Sequence, residues 1–237
     1  MVNVFGQFPP SSMNSLLGPE EVISAQRKYG QVRPDEYSFA PIVLGVDPAR
    51  FGDDRTVIIA RQGIKAEAPE ILRNARTTEI ASRVSKIWDT VEADACFIDD
   101  TGGWGAGVID ALIQARFNPI PINFSGSADD TRYYNKRAEM WFEMAEWVRT
   151  GGALPPEIED LVGEMSTPTY TFKSGKFLLQ EKDQIKDVLG RSPDIADALA
   201  LTFAMPVRPR GTKASGDSPA WMERLKKSRR TNNPMVA

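Results

Sequence analysis

Apolar residues fall in short runs broken by turn-forming and acidic residues, and the spacing of those runs predicts alternating strands and helices. Ile42-Val43-Leu44-Gly45-Val46 and Thr56-Val57-Ile58-Ile59-Ala60 read as two strands, joined as a hairpin by the Gly- and Asp-rich segment Pro48 to Asp54. A short strand is expected around Glu70 to Arg73. From about Glu79 to Val91, the residues Ile80, Val84, Ile87, Trp88 and Val91 recur at helical spacing. Ala95-Cys96-Phe97-Ile98 is the next strand. It ends in Asp99-Asp100 and opens through Thr101-Gly102-Gly103-Trp104-Gly105-Ala106-Gly107 into a helix with Val108, Ile109, Leu112 and Ile113 on its buried side. Pro119 to Phe124 carries prolines and reads as a strand near a sheet edge.

The second half is more helical. The stripe Tyr134, Ala138, Trp141, Met144, Ala145 and Val148 predicts the longest helix, from about Thr131 to Thr150, stopped by Gly151-Gly152 and facing the core. A shorter helix covers Glu157 to Met165. Thr169 to Phe172 and Phe177 to Gln180 flank Lys173-Ser174-Gly175-Lys176, a β-hairpin with a cationic tip. Glu181 to Leu189 is helical, and Ser192-Pro193 precedes a last helix from Asp194 to about Ala204. Together these elements predict an α/β sheet of mixed strand direction, a class in which ligands gather at the carboxyl ends of strands. Residues 1–38, rich in Pro, Ser, Asn and Gly with one helix from Pro19 to about Tyr29, read as a connector. The core spans 39–205, and 206–237 reads as a disordered tail with a short helix around Trp221 to Lys227.

Composition narrows the chemistry. The 237 residues contain no histidine, which removes Ser-His-Asp catalysis, His-liganded zinc and histidine bases together. Catalysis must then come from carboxylates, lysines, hydroxyls or a metal held by oxygen. A single cysteine, Cys96, excludes an internal disulfide and fits a cytosolic setting; its apolar strand marks it as a buried small hydrophobe. No apolar run approaches the roughly 18 residues of a membrane span, and the first residues lack the pattern of a secretory signal. The net charge of −3 is unevenly spread: residues 206–237 carry +6 and the remainder −9.

The acids are the candidate site. Asp47 ends the first strand and Asp99 ends another, so both are placed at the carboxyl edge. Asp194 and Asp197 lie three apart on the last helix and share a face. Converging carboxylates bind Mg²⁺ or Mn²⁺ through oxygen alone, and two such ions can drive phosphodiester hydrolysis. Each acid has a plainer role beside this one. Asp47 can begin a turn at Pro48, Asp53 and Asp54 suit a tight turn, and Asp194 can complement a helix dipole. Asp99 ends its apolar run directly and is preferred over Asp100. Asp197 is a second ligand or part of a solvated face. The Gly-rich loop after Asp100 matches neither a Walker A motif nor a dinucleotide fingerprint, and its glycines are explained equally by a sharp strand-to-helix turn.

Three stretches, LGVDPARFGDDRTVIIA, FIDDTGGWGAGVIDAL and SPDIADALALTFA, resemble signatures of the C-terminal nuclease half of viral terminase large subunits, the DNA-packaging enzymes of tailed phages. The resemblance spans about residues 40–205, and VFGQFPPSSMNSLLGPEEV is similar to the segment joining that family's ATPase half to its nuclease. It implies a ribonuclease-H-like mixed sheet with helices on both faces plus an auxiliary β-hairpin. It implies Asp47, Asp99 and Asp194 as metal-binding carboxylates for two Mg²⁺ or Mn²⁺, with Asp100 and Asp197 as neighbours that could assist or substitute. The implied activity is cutting of concatemeric double-stranded DNA in the cytoplasm of an infected bacterium. The implied partners are an ATPase domain, a small terminase subunit and a portal protein. No GxxxxGK[ST] motif occurs, so an excised nuclease without a motor is expected. Arg50, Lys173, Lys176, Arg191 and the tail are the cations available for DNA. A phosphotransferase of the actin and hexokinase class, a resolvase or transposase of related fold, and a non-catalytic packaging scaffold are the competing readings.

Overall fold

The structure, a computed structural model, describes residues 14–49 and 55–209. Pro19 in the first turn and the acids Glu20 and Glu21 start α1 (Pro19–Lys28), and the Glu21 carboxylate reaches back to accept the Gly18 N–H at 2.6 Å. This segment lies against the rest of the chain. Leu16, Leu17, Val22 and Ala25 are buried, and the Tyr170 N–H donates to the Asn14 carbonyl at 2.9 Å.

β1 (Ile42–Asp47) is apolar on both sides, as a strand covered by helices on each face must be. It pairs antiparallel with β2 (Thr56–Gln62), Asp47 opposite Val57. The chain reverses at Gly63, whose φ of +55° suits glycine, into β3 (Lys65–Ala66). That strand was not anticipated, because two residues are too few to show alternation. β4 (Glu70–Leu72) also pairs with β2. α2 (Thr77–Val91) then crosses to β5 (Ala95–Asp99), parallel to β1. α3 (Ala106–Gln114) crosses to β6 (Ile120–Ile122), parallel to β5 and at the sheet edge as the prolines predict. The order is β3-β2-β1-β5-β6, with β4 beside β2. Ile113, expected inside, is exposed on the outer side of α3.

Alternation sends Leu44, Val46, Cys96 and Ile98 to one face, where they pack with Ile80, Val84 and Trp88 of α2 and Val108 and Leu112 of α3. Val43, Val57, Ile59 and Phe97 point the other way, into a larger core with α4 (Lys136–Arg149), α5 (Glu159–Ser166) and the last helix. α4 begins later than its apolar stripe suggests. Asn135 caps it, its Oδ1 accepting the Ala138 N–H at 2.9 Å, which leaves Tyr134 outside the helix and 40% exposed.

β7 (Tyr170–Lys173) and β8 (Lys176–Leu179) form the expected hairpin. Ser174 and Gly175 take left-handed φ values of +52° and +74°, the geometry of a two-residue turn that matches strand twist. α6 (Lys182–Leu189) follows and ends at Gly190. α7 (Asp194–Leu201) stops three residues short of its expected end. It is buried along its whole length between the sheet and α4, hence its near-total lack of a polar face. α7 meets β1 backbone to backbone at Gly45, where a Cβ would lie 2.0 Å from the Ala198 carbonyl oxygen.

Candidate metal centre

β1 and β5 run parallel with Val46 beside Ile98, so the next residues, Asp47 and Asp99, end neighbouring strands at the same edge. Alternation turns both toward α4 and α7. One residue further it turns Asp100 the other way, where its Oδ1 is buried without a hydrogen-bond partner among the described residues. The close contact of α7 with Gly45 brings Asp194 and Asp197 of its first turn over the same edge; they are 2% and 0% exposed. Asp47, Asp99, Asp194 and Asp197 therefore lie within electrostatic reach of one another.

Lys182, the first residue of α6, sits inside this group. Its Nζ lies 3.2 Å from Asp47 Oδ2, 3.3 Å from Asp197 Oδ2 and 3.8 Å from Asp194 Oδ1. Sequence reasoning missed it. The available signal was a lysine opening a helix, where the dipole disfavours positive charge. Burial works against its charge, but Asp47, Asp197 and Asp194 outweigh that and raise its pKa. Among the described residues no three acids converge closely enough to hold an ion in this arrangement, in which the ammonium lies among them.

The other contacts fix each carboxylate separately. Asp197 Oδ1 accepts from Trp141 Nε1 at 2.7 Å and from Arg137 Nε at 3.2 Å, while its buried Oδ2 faces the Lys182 ammonium at 3.3 Å. Burial pushes Asp197 up, yet Arg137 and Lys182 prevail and hold it below the usual carboxylate range. Burial raises Asp47 well above that range despite Lys182, with the neighbouring aspartates adding to the rise. Burial also raises Asp99, against the hydrogen bonds from Thr101. The Thr101 N–H donates to Asp99 Oδ1 at 2.9 Å and Thr101 Oγ1 accepts the Phe124 N–H at 2.9 Å, locking the strand end.

Asp194 is steadied from the opposite side. α7 has no capping side chain of its own; instead Glu164 Oε2 of α5 accepts the Ile195 and Ala196 N–H groups at 2.8 and 3.1 Å. Arg55 joins the two acids: its main-chain N–H donates to Asp194 Oδ2 at 3.1 Å and its Nη2 to Glu164 Oε1 at 2.5 Å. Arg55 also pairs with Asp160 at 2.6 Å, and Arg191 closes a ring of alternating charge by meeting Asp160 at 2.8 Å and Glu164 at 3.6 Å. Arg191, expected as a free cation for DNA, is thus largely spent on these acids.

The remaining candidates lie apart. Lys173 stands over the Tyr134 ring at 4.5 Å, and Lys176 is its cross-strand partner at the hairpin tip. Arg50, Asp53, Asp54 and the basic tail from Arg210 onward fall outside the described residues. Asp47, Asp99, Asp194 and Asp197 offer only carboxylate oxygens, the donors that suit a hard divalent cation, and the Lys182 ammonium, 3.3 Å from Asp197 Oδ2, sits among them.

No family model matches the sequence, and no curated protein matches it. Solved structures do. The nuclease domain of the large terminase subunit gp2 of bacterial virus Sf6 superposes with a TM-score of 0.65 at 22% identity, over 79% of this chain and 96% of that one. A lysine-to-alanine mutant of that domain with manganese gives 0.67 at 20%, over 81% and 100%. The large terminase nuclease of thermophilic phage G20c with bound magnesium gives 0.55 at 16%, over 82% and 98%. The fold is the ribonuclease-H-like mixed α/β fold of these nuclease domains, as the sequence resemblance led us to expect.

Proposed function

We propose that this chain is the nuclease part of a tailed-phage large terminase subunit, a divalent-metal-dependent endonuclease that cuts concatemeric double-stranded viral DNA during packaging. The observation that carries the reading is the gathering of Asp47, Asp194 and Asp197 around one ammonium, with Asp99 on the adjoining strand end. Asp47, Asp99 and Asp194 would hold two Mg²⁺ or Mn²⁺, with Asp197 and Asp100 as neighbours. Bound there, the ions supply an activated water and stabilise the leaving oxygen of the phosphodiester. Before they bind, Lys182 offsets the repulsion among the carboxylates. Arg137 and Trp141 keep Asp197 ionised, and Arg55 with Glu164 keeps Asp194 in place.

Lys173, Lys176 and Arg50 are the proposed phosphate contacts, with Arg191 secondary because Asp160 and Glu164 already engage it. In the same reading residues 1–38 connect to an ATPase domain and 39–205 form the nuclease. Residues 206–237 form a basic tail, and a small terminase subunit and a portal protein are partners in the cytoplasm of the infected host. No described helix is long and apolar enough to cross a membrane. The test is nicking of supercoiled plasmid. Nicking that requires Mg²⁺ or Mn²⁺ and is lost in Asp47→Ala, with the circular dichroism spectrum retained, supports the reading. Nicking in chelator, or nicking that persists in Asp47→Ala, overturns it, and a folded chain that never nicks leaves the scaffold reading in its place.

A further inference from the structure

Four tryptophans lie among the described residues, and three of them behave as core. Trp88, Trp141 and Trp147 are at most 8% exposed, and each donates its indole N–H, to the Ala93 carbonyl, Asp197 and the Gly63 carbonyl at 2.8, 2.7 and 2.9 Å. Trp104 is 69% exposed and its N–H has no partner among the described residues. A large aromatic left in water is the informative case, because it gains most from being covered.

Its position is set by the backbone around the carboxylates. After Asp99, Thr101 folds back onto the Asp99 carboxylate, and Gly102 and Gly103 take φ values of +70° and +80°. Gly105 then returns so close to the strand end that a Cβ there would lie 2.2 Å from the Asp99 carbonyl oxygen. Trp104 lies between those glycines and that contact, so its backbone belongs to the loop that wraps the Asp99 strand end. The ring lies on the Gly102 side of the loop: a Cβ on Gly102 would meet its Cδ1 and Nε1 at 3.4 Å, whereas one on Gly103 would meet nothing within 4 Å.

We propose that Trp104 is a stacking platform for a nucleobase adjoining the phosphate that enters the carboxylate cluster. The inference rests on the nuclease reading and adds to it a class of substrate. A base inside an intact duplex is covered on both faces, so a single exposed indole can take only a base that is unstacked, at an end, a gap or a locally opened strand. Stacking of one base on an aromatic side chain strengthens binding by about 5- to 140-fold. The four acids of the cluster outnumber Lys182 and Arg137, so phosphate approaches, and the base stacks, only once divalent ions have neutralised them.

The test uses the full chain with Ca²⁺ and three probes: a fluorescein-labelled 12-mer of single-stranded DNA, the blunt duplex of the same sequence, and the single strand with abasic central positions. Tryptophan quenching by the intact single strand is expected in the wild type only with Ca²⁺, and is expected to be largely absent from Trp104→Phe, which removes this fluorophore from the others. By anisotropy, Trp104→Ala is expected to bind the single strand at least 5-fold more weakly, Trp104→Phe to retain most of the affinity, and the abasic strand to be insensitive to either change. In plasmid nicking, Trp104→Ala is expected to raise KM with little change in kcat. Equal affinity of wild type and Trp104→Ala for the intact single strand overturns the proposal while Asp47-dependent nicking leaves the nuclease reading standing. A rim tryptophan that instead meets another protein gives that same result. A wild-type chain that neither nicks nor binds DNA overturns both.

Discussion

Replacing Lys182 by methionine removes the one positive charge among the described residues that touches three of the four clustered acids, while keeping the length of its apolar stem. At an effective dielectric of about 20, each contact of 3–4 Å carries about 4 kcal/mol of gross attraction. The net value is smaller, because the ammonium was stripped of water to reach this place. Breaking a buried pair costs about 3–5 kcal/mol. The Lys182 side chain is 35% exposed, so solvent screening reduces this to about 2 kcal/mol. A divalent ion entering the cluster must displace that contact. Lys182→Met is therefore expected to lower the stability of the metal-free protein by about 2 kcal/mol, a fall in Tm of about 4–8 °C. It is also expected to bind Mn²⁺ about 30-fold more tightly, at 1.4 kcal/mol per factor of ten. Calorimetric titration with Mn²⁺ at neutral pH, beside thermal melts with and without the ion, measures both. Unchanged or weaker Mn²⁺ binding in a folded Lys182→Met protein refutes the reasoning, since it makes the lysine a member of the metal centre and not its competitor.

Gly45→Ala forces a methyl group into the Ala198 carbonyl and so pushes α7 off β1; overpacking of this kind costs about 1–3 kcal/mol, and Mn²⁺ affinity should fall with Tm as Asp194 and Asp197 move away. A variant with wild-type Mn²⁺ affinity would show that the close approach at Gly45 does not set the site. Arg55→Met leaves Glu164 and Asp194 without their shared cation and is expected to weaken Mn²⁺ binding by about 10- to 100-fold, as loss of a supporting contact does at metal sites; calorimetry on the folded variant decides. The metal-free protein should become less stable as pH rises above the ordinary carboxylate range. Asp47 and Asp99 have raised pKa values, so the folded state holds protons that the unfolded state has released, and that contribution is lost as pH climbs through the raised values. The depressed Asp197 acts only below its usual value and does not alter this window. Melts between pH 4.5 and pH 7.5 are expected to show a falling Tm without metal and a rising one with Ca²⁺; a Tm that rises without metal would contradict it.

What the sequence disclosed was local. Apolar runs that end in a single acid announced β1 with Asp47 and β5 with Asp99, and the cationic Ser174-Gly175 turn announced its hairpin. Parallel pairing of β1 with β5 turned the first pair into neighbours, as fold class alone suggested. Contacts between distant parts of the chain were not legible. Glu164 reads as an ordinary acid on a short helix until α7, about thirty residues later, presents it with two bare N–H groups. Arg191 looks free because its acid partner lies 31 residues upstream, and Lys182 looks like a solvated helix start because Asp47 is 135 residues away. The stripe containing Trp141 was correctly assigned to the core, but periodicity carries no hint that its indole N–H also holds Asp197. Where local rules competed, the cap prevailed over the stripe: Asn135 starts α4 although Tyr134 fits the apolar spacing.

The central claim is that the strand-end and helix acids share divalent ions once Lys182 gives way. Anomalous diffraction from crystals grown with Mn²⁺ measures this directly. The account predicts manganese peaks bounded by Asp47, Asp99 and Asp194, with the Lys182 ammonium moved out of its present position 3.2 Å from Asp47. Manganese found only elsewhere on the molecule, with Lys182 still seated among the carboxylates at saturating ion, would contradict it.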